Sequence, residues 1–477
     1  MEVLLPRFIV IGPIDKLDYL SYIRGSQDSD GYLIFSEAEA ENPFAKFEVE
    51  FSDTDDLVHV RSCQNNKYWE RTKNLSITGD PDSQYWITAT AGKKEEDQSK
   101  ESCTLFKFSS VNAAENTVRI QHVQSGCYLY LWRLDSPTYS RCVLANYNVY
   151  DENQCDIFTI IDWSSLLILP RYVAFKGDNE KYLCLRYLDG GYSYLQFATE
   201  DIGDPTVACE IFATDNGRVR IKQLSNGMFW RRSPNWIWAD SDDTSSDNKD
   251  TLFRLIKVND NTIGIVSLGN DHFCKRLSYE GKDNCLNAAV SSVTQEAQLT
   301  VEEAVLTREI YSVRYDIDNA RVYGETPLVV ARTSASNYTQ EPSTLEMKLS
   351  YTDTNTRTWK TMFSLTLGMK ASMELNFPFV AKGEIEVSSE FQSQVEWEKA
   401  SAFTVVKQDV HTITVPPMKK AIVSLIATQG WCDVPFTFLQ RDTLYDGNTV
   451  ISEVQGGTYT GSNYSSIKFE AKDADLQ

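Results

Sequence analysis

From Phe363 to Phe391 apolar and polar residues alternate for far longer than an ordinary strand of about 5–6 residues. One face reads Phe363, Leu365, Leu367, Met369, Ala371, Met373, Leu375 and Phe377; the other reads Ser364, Thr366, Gly368, Lys370, Ser372, Glu374 and Asn376. Pro378 has no N–H to give to a ladder, and Phe377-Pro378-Phe379-Val380 reads as an apolar tip. A returning arm then sets Ala381, Gly383, Ile385, Val387 and Phe391 against Lys382, Glu384, Glu386, Ser388 and Glu390. A strand that crosses a bilayer needs roughly 9–11 residues with one lipid face and one lumen face, and only a closed barrel satisfies its backbone. The pattern is equally that of a long amphipathic hairpin packed on a soluble sandwich, so both readings stand. Length, the small residues Gly368, Ala371, Ser372, Ala381 and Gly383, and the bulky tip favour insertion.

The rest of the chain is patterned differently. Leu5-Pro6-Arg7-Phe8-Ile9-Val10 returns as Leu169-Pro170-Arg171-Tyr172-Val173-Ala174, roughly 160 residues on, so two homologous domains follow one another. Asn66-Lys67-Tyr68-Trp69 is answered by Gly227-Met228-Phe229-Trp230, and Cys103-Thr104-Leu105-Phe106 by Asp250-Thr251-Leu252-Phe253. Each half holds a shorter threefold pattern of hairpins. In the second half the units begin at Tyr172, Val219 and Ile263 and carry Lys181-Tyr182-Leu183, Met228-Phe229-Trp230 and His272-Phe273-Cys274 at matching places. Three repeats of about 45 residues, each of four short strands, predict a β-trefoil. Glu-rich Val301–Val305 has helical propensity but reads as a closing strand and linker. The predicted fold is all-β: one trefoil over 1–163, a second over 164–307, and an elongated, unrelated β-sheet domain over 308–477.

A chain of 477 residues should divide into about three compact units, in keeping with that scheme. A formal net charge of −21 argues against nucleic acid, which is bound through clustered Lys and Arg, and against anionic lipid. Contact with a membrane therefore calls for an uncharged address such as a glycan. Glu2 stands where a secretory signal wants positive charge, and Pro6, Arg7 and Pro13 break the apolar run; a chain that is cytoplasmic, or released without a signal peptide, is expected. The ten cysteines show neither zinc spacing nor a dense disulfide frame, so reduced thiols and no metal are expected. Asn74, Asn337 and Asn463 begin N-x-S/T sequons, a pattern that chance often supplies.

No H-E-x-x-H, P-loop, dinucleotide fingerprint or G-x-S-x-G elbow occurs, and the expectation is a binding protein without cofactor or catalytic residues. Sugars stack C–H faces on aromatic rings and hydrogen-bond through hydroxyls. Ser83-Gln84-Tyr85-Trp86 in the first half and Asn235-Trp236 in the second, within Asn235-Trp236-Ile237-Trp238, offer that mixture as carbohydrate-binding candidates. Burial in the trefoil remains the alternative for any one ring, as turn chemistry does for Gln84 and Asn235.

Leu57-Val58-His59-Val60, Tyr85-Trp86-Ile87-Thr88-Ala89, Ile161-Asp162-Trp163, Val173-Ala174-Phe175-Lys176-Gly177 and Cys285-Leu286-Asn287-Ala288-Ala289, with the Asn66 and Cys103 motifs, resemble the amaranthin-type plant agglutinins over residues 1–307. The resemblance implies tandem trefoils that bind galactosyl-N-acetylgalactosamine or N-acetylgalactosamine without metal, in a head-to-tail dimer. The family sugar loop is longer here, over Asn74–Gln84, and its Asn position is Ser83; the second half keeps Ser233-Pro234-Asn235. The remainder is similar to aerolysin-type pore-forming modules, which hold an amphipathic hairpin and release it into a shared barrel on the membrane. That resemblance implies a homo-oligomer in which Phe363, Leu365, Leu367, Met369, Met373, Leu375, Phe377, Pro378, Phe379, Ile385, Val387 and Phe391 meet lipid. Lys370, Glu374, Lys382, Glu384, Glu386 and Glu390 would line the lumen. The competing expectation is a cytoplasmic defence lectin whose third domain only sets oligomer state.

Overall fold

The computed structural model describes residues 4–14, 18–26, 28–54, 56–74, 84–133, 139–214, 217–245, 247–362, 376–388 and 400–475. Among them helical structure is confined to single 3-10 turns such as Pro43–Ala45 and Gln295–Ala297, so the all-β expectation holds. Two compact units result. The first holds 1–308 and 441–452; the second holds the described parts of 309–361, 370–440 and 453–477.

Within the first unit each trefoil closes by pairing its first strand with its last. Phe8–Pro13 pairs Phe158–Asp162 with Ile9 opposite Asp162, and Tyr172–Lys176 pairs Leu299–Glu303 with Val173 opposite Glu303. The segment of helical propensity is thus a strand, because it completes a barrel and buries Leu299 and Val301. Trp69 is the centre of the first core, edge-on to Phe47 at 5.2 Å and Phe106 at 5.7 Å. Its repeat partner Trp230 stands 5.5 Å from Phe175 and 6.2 Å from Phe253. Leu183, Trp230 and Cys274, at matching points of three units, are 2%, 0% and 0% exposed, which makes them one layer of a threefold core. Each unit also breaks register just there, at Tyr182/Leu183, Phe229/Trp230 and Phe273/Cys274. Tyr68/Trp69 and Tyr19/Leu20 do the same in the first trefoil. A bulge bends a strand and raises its twist, and here it turns each hairpin to cap the barrel.

Two buried groups of the first trefoil give it opposing pH responses. Glu41 is buried with no hydrogen-bond partner for Oε2 among the described residues, and burial pushes its pKa up to about 7. His122 lies between the Cys103 carbonyl and the Ser125 hydroxyl, each at 3.0 Å, and burial pushes it down to about 4. Glu41 is raised, so its contribution is present below the unfolded value of 4.5 and lost as pH rises through about 7. His122 is depressed, so its contribution is present above 6.5 and lost as pH falls through about 4. Each is worth on the order of 3 kcal/mol, and between pH 4.5 and 6.5 they oppose one another. Glu41→Gln is expected to expose the His122 slope: urea unfolding should show about 3 kcal/mol lost from pH 6.5 to 4. An unchanged pH profile in that variant would contradict the assignment.

The second unit is built on strands of unusual length. Arg321–Asn337, Ser343–Lys360, Ser401–Val415, Lys419–Leu444 and Thr449–Asp475 form, with Val305–Tyr315, a six-stranded sheet whose longest members run 26 and 27 residues. Ser343–Lys360 and Ser401–Val415 pair without a slip from Ser343 opposite Val415 to Arg357 opposite Ser401. The core of this unit gathers Ile310, Trp359, Cys432, Val434, Phe436, Phe438 and Tyr459. Phe377 and Val380 complete it.

Candidate carbohydrate site and the hairpin between the long strands

The cap of the second trefoil consists of three hairpins: Tyr182–Leu188 with Tyr192–Thr199, Phe229–Ser233 with Trp236–Ser241, and His272–Tyr279 with Lys282–Val290. They meet through Tyr194 opposite Trp238, Gln196 opposite Cys285, and Trp236 opposite Asn287. Tyr194, Trp236 and Cys285 are buried where the hairpins converge, with Leu188, Trp238 and Leu277 around them. Trp236 is only 5% exposed, so it is cap core and cannot stack on a sugar, contrary to the expectation. Above this core lies Tyr192, 53% exposed and stacked on Trp238 with centroids 4.8 Å apart and planes at 25°.

Beside that platform the Asp189-Gly190-Gly191 turn presents a carboxylate that accepts from Lys282 Nζ at 2.8 Å and from the Tyr194 hydroxyl at 3.3 Å. The Lys282 contact holds Asp189 below the usual carboxylate range and raises Lys282, so both remain charged. An open aromatic face next to an adjacent acceptor and donor suits a pyranose: the ring takes the C–H face and the ion pair takes hydroxyls. Asn235 is exposed at the neighbouring tip. Its carboxamide oxygen accepts from Arg232 and from Asn270, each at 3.3 Å, and Arg232 is itself held by Asp250 at 2.9 Å. Tyr192, Asp189 and Lys282 lie outside the short aromatic and amide stretches that the sequence offers as sugar sites. The signal available was a Tyr-rich arm, Tyr187 to Tyr194, folded around a Gly-Gly turn.

In the first trefoil Ser83 lies outside the described residues. Gln84 is half-buried and its carbonyl accepts from the Asn74 N–H at 2.7 Å. Tyr85 is half-buried with the Arg71 guanidinium 3.5 Å from its ring centre, so a cation already covers one face. Trp86 is fully buried with Tyr32, Tyr130, Cys142 and Leu144. It is a packing residue, because successive strand residues face opposite sides and Tyr85 takes the outer one. The sequon asparagines are likewise committed. Asn74 Nδ2 donates to the Tyr32 hydroxyl at 2.8 Å, Asn337 Nδ2 to the Glu341 carbonyl at 2.8 Å, and Asn463 Nδ2 to the Val380 carbonyl at 2.8 Å.

Of the hairpin expected over 363–391, residues 376–388 are described; Phe363, Leu365, Leu367, Met369, Lys370, Met373, Glu374, Leu375, Glu390 and Phe391 lie outside the described residues. Here the structure departs from the expected tip. Pro378–Ala381 is a strand paired with Glu384–Val387, and the turn is Lys382-Gly383. Both turn residues have positive φ, 52° and 84°, as a two-residue type I′ hairpin requires. Pro378 is tolerated because it stands first in a two-stranded pair. Phe377-Pro378-Phe379-Val380 is not an exposed apolar tip: Phe377 is 9% and Val380 1% exposed, packed into the core of the second unit. Polar contacts hold them there. Val380 N–H donates to Asn463 Oδ1 at 2.8 Å, Asn463 Nδ2 returns a bond to the Val380 carbonyl, and the Tyr315 hydroxyl donates to the Asn376 carbonyl at 2.8 Å. The Arg357 guanidinium sits 3.3 Å from the Phe377 ring centre. Glu384 and Glu386 are exposed, Ile385 is half-buried, and Val387 is 38% exposed.

Comparison with known proteins follows these divisions. The agglutinin domain matches residues 3–162 and 168–303, together more than half of the chain. Natterin-3 of Thalassophryne nattereri is 25% identical over 237 residues, 50% of this chain and 62% of its own length. Natterin-1 of the same organism is 24% identical over 201 residues, 42% of this chain and 55% of its length. The chain thus spans less than two thirds of either relative. Among solved structures, a lamprey immune protein matches with a TM-score of 0.30 and 11% identity, covering 65% of this chain and 93% of its own. The parasporin-2 Bacillus thuringiensis toxin that recognizes cancer cells matches at 0.20 and 19%, covering 35% and 74%. On the tandem match across both trefoils, the chain belongs to the agglutinin-domain family.

Proposed function

We propose that this protein is a glycan-directed pore former. The cap of the second trefoil takes a galactose- or N-acetylgalactosamine-type sugar on Tyr192, with Asp189, Lys282 and Asn235 meeting its hydroxyls. Copies concentrated on a glycan-bearing membrane then assemble, and the segment between the long strands supplies two strands per copy to a shared barrel. Chemistry on the glycan is no part of this reading. The observation that carries it is the alternating segment 363–391 set between two long strands paired over Ser343–Arg357 and Ser401–Val415. Glycan binding answers the charge problem, since a chain of net charge −21 gains nothing from anionic lipid.

The test is dye release from vesicles with and without galactosyl or N-acetylgalactosaminyl glycolipid. Release from the glycan-bearing vesicles together with a detergent-stable oligomer is expected. Vesicles that bind the protein yet stay sealed would leave only the lectin. Even-numbered residues in the lumen would bring Glu374, Glu384, Glu386 and Glu390 against Lys370 and Lys382, so planar-bilayer reversal potentials should show cation preference. Anion selectivity would contradict that lining.

A further inference from the structure

Two registers meet in this part of the chain, that of the paired long strands and that of the hairpin between them, and one cannot continue into the other without a slip. In the ladder of Ser343–Lys360 with Ser401–Val415 the two numbers of every pair add to 758, from Ser343 with Val415 to Arg357 with Ser401. In the hairpin they add to 765, from Pro378 with Val387 to Ala381 with Glu384. A bond from the Ser388 N–H to the Phe377 carbonyl at 2.8 Å carries the second register one pair further. The difference of seven is odd, and an odd slip moves every side chain of one arm to the other face.

The consequence is chemical. In the hairpin's register Glu384 and Glu386 share a face with Ala381 and Phe379. Continued along the arms, that register would set odd-numbered apolar residues beside even-numbered acidic ones, and neither face could meet lipid. Continuation of the ladder's register instead pairs odd with odd: Phe377 with Ala381, Met373 with Ile385, Ala371 with Val387, Leu367 with Phe391. Asn376 then pairs with Lys382 and Ser372 with Glu386, on a face that is polar throughout. The turn becomes Pro378-Phe379-Val380, a three-residue loop whose proline is already suited to its first position.

We infer that insertion requires a seven-residue change of register: the hairpin abandons its Lys382-Gly383 turn and continues the register of the flanking ladder. The present register is the soluble one, held by burial of Phe377 and Val380 and by the paired Asn463 bonds to the Val380 backbone. This inference rests on the pore-forming reading above and concerns which pairs form once the barrel does.

Two engineered cysteine pairs test it on the full chain, with vesicles bearing the galactosyl glycolipid. Phe379→Cys with Glu386→Cys joins two residues that are opposite each other now and are parted after the shift. Oxidised, this variant should bind vesicles and lose dye release, and dithiothreitol should restore it. Asn376→Cys with Lys382→Cys joins residues that lie roughly 16–20 Å apart along the present arm and face each other only after the shift. Its cross-link should be absent in solution and present within single chains of the assembled oligomer, read by non-reducing peptide mass spectrometry. Release by the oxidised first pair at the rate of the unmodified protein, or leaking oligomers in which the second cross-link never forms, would overturn the register change and leave the pore standing. Failure of the unmodified protein to release dye would remove the pore reading itself.

Discussion

Arg308→Met is expected to destabilise the first unit by about 3–5 kcal/mol, because it removes the guanidinium that two buried carboxylates share. The guanidinium donates to both oxygens of Asp442, at 2.7 and 2.9 Å, and to both of Glu303, at 2.8 and 2.9 Å. None of the three side chains exceeds 10% exposure, so water cannot take over. Glu303 closes the second trefoil, and Asp442 belongs to 441–452 of the same unit, where Leu444 packs with Tyr172, Ala304 and Val305. Burial already raises Glu303 against the pull of Arg308. Without that pull its folded pKa stands well above the unfolded one, so the deficit should be small in acid and should grow as pH rises. Urea unfolding of the variant at pH 5 and pH 8 checks both size and sign. Adding Glu303→Gln and Asp442→Asn should recover most of the loss, since a buried pair costs most when half of it is removed.

The fold was more legible than the sites, for a physical reason. A trefoil repeats its core layers, so Leu183, Trp230 and Cys274 could be matched by spacing, and the matching residues of the first half followed. The closing strand Leu299–Glu303 ran against local propensity, but barrel closure outweighs a few tenths of a kcal/mol per residue. Alternation also marks which residues share a face. It does not tell which face a partner covers, so Trp86 and Trp236 read as sugar ligands in the sequence although packing buries both. Tyr192, Asp189 and Lys282 belong to two hairpins separated by most of the domain, and only the threefold packing brings them together. The hairpin turn shows the same limit. Phe377-Pro378-Phe379-Val380 has tip chemistry, but Lys382-Gly383 satisfies a two-residue turn at once and frees Phe377 and Val380 for burial, which moves the turn in this state.

That contrast between covered and open rings supplies a decisive pair of variants. Tyr192→Ala removes a ring whose outer face is open, so the protein should unfold as before while its affinity for a galactosyl glycan falls by about 2 kcal/mol, roughly thirtyfold in Kd. Trp86→Ala removes a fully buried ring packed 6.3 Å from Tyr32 and 6.4 Å from Tyr139, and should destabilise the first trefoil by about 3–5 kcal/mol. Glycan binding by calorimetry and urea unfolding by tryptophan fluorescence separate the two effects. If the second cap is the docking surface, Trp86→Ala still binds wherever the second trefoil remains folded, whereas Tyr192→Ala binds roughly thirtyfold more weakly although both trefoils are intact. The reverse result, with binding lost in Trp86→Ala and kept in Tyr192→Ala, would move the sugar to the first trefoil. A vesicle assay on the same pair would then show which cap a pore has to engage, because release should follow binding and not stability.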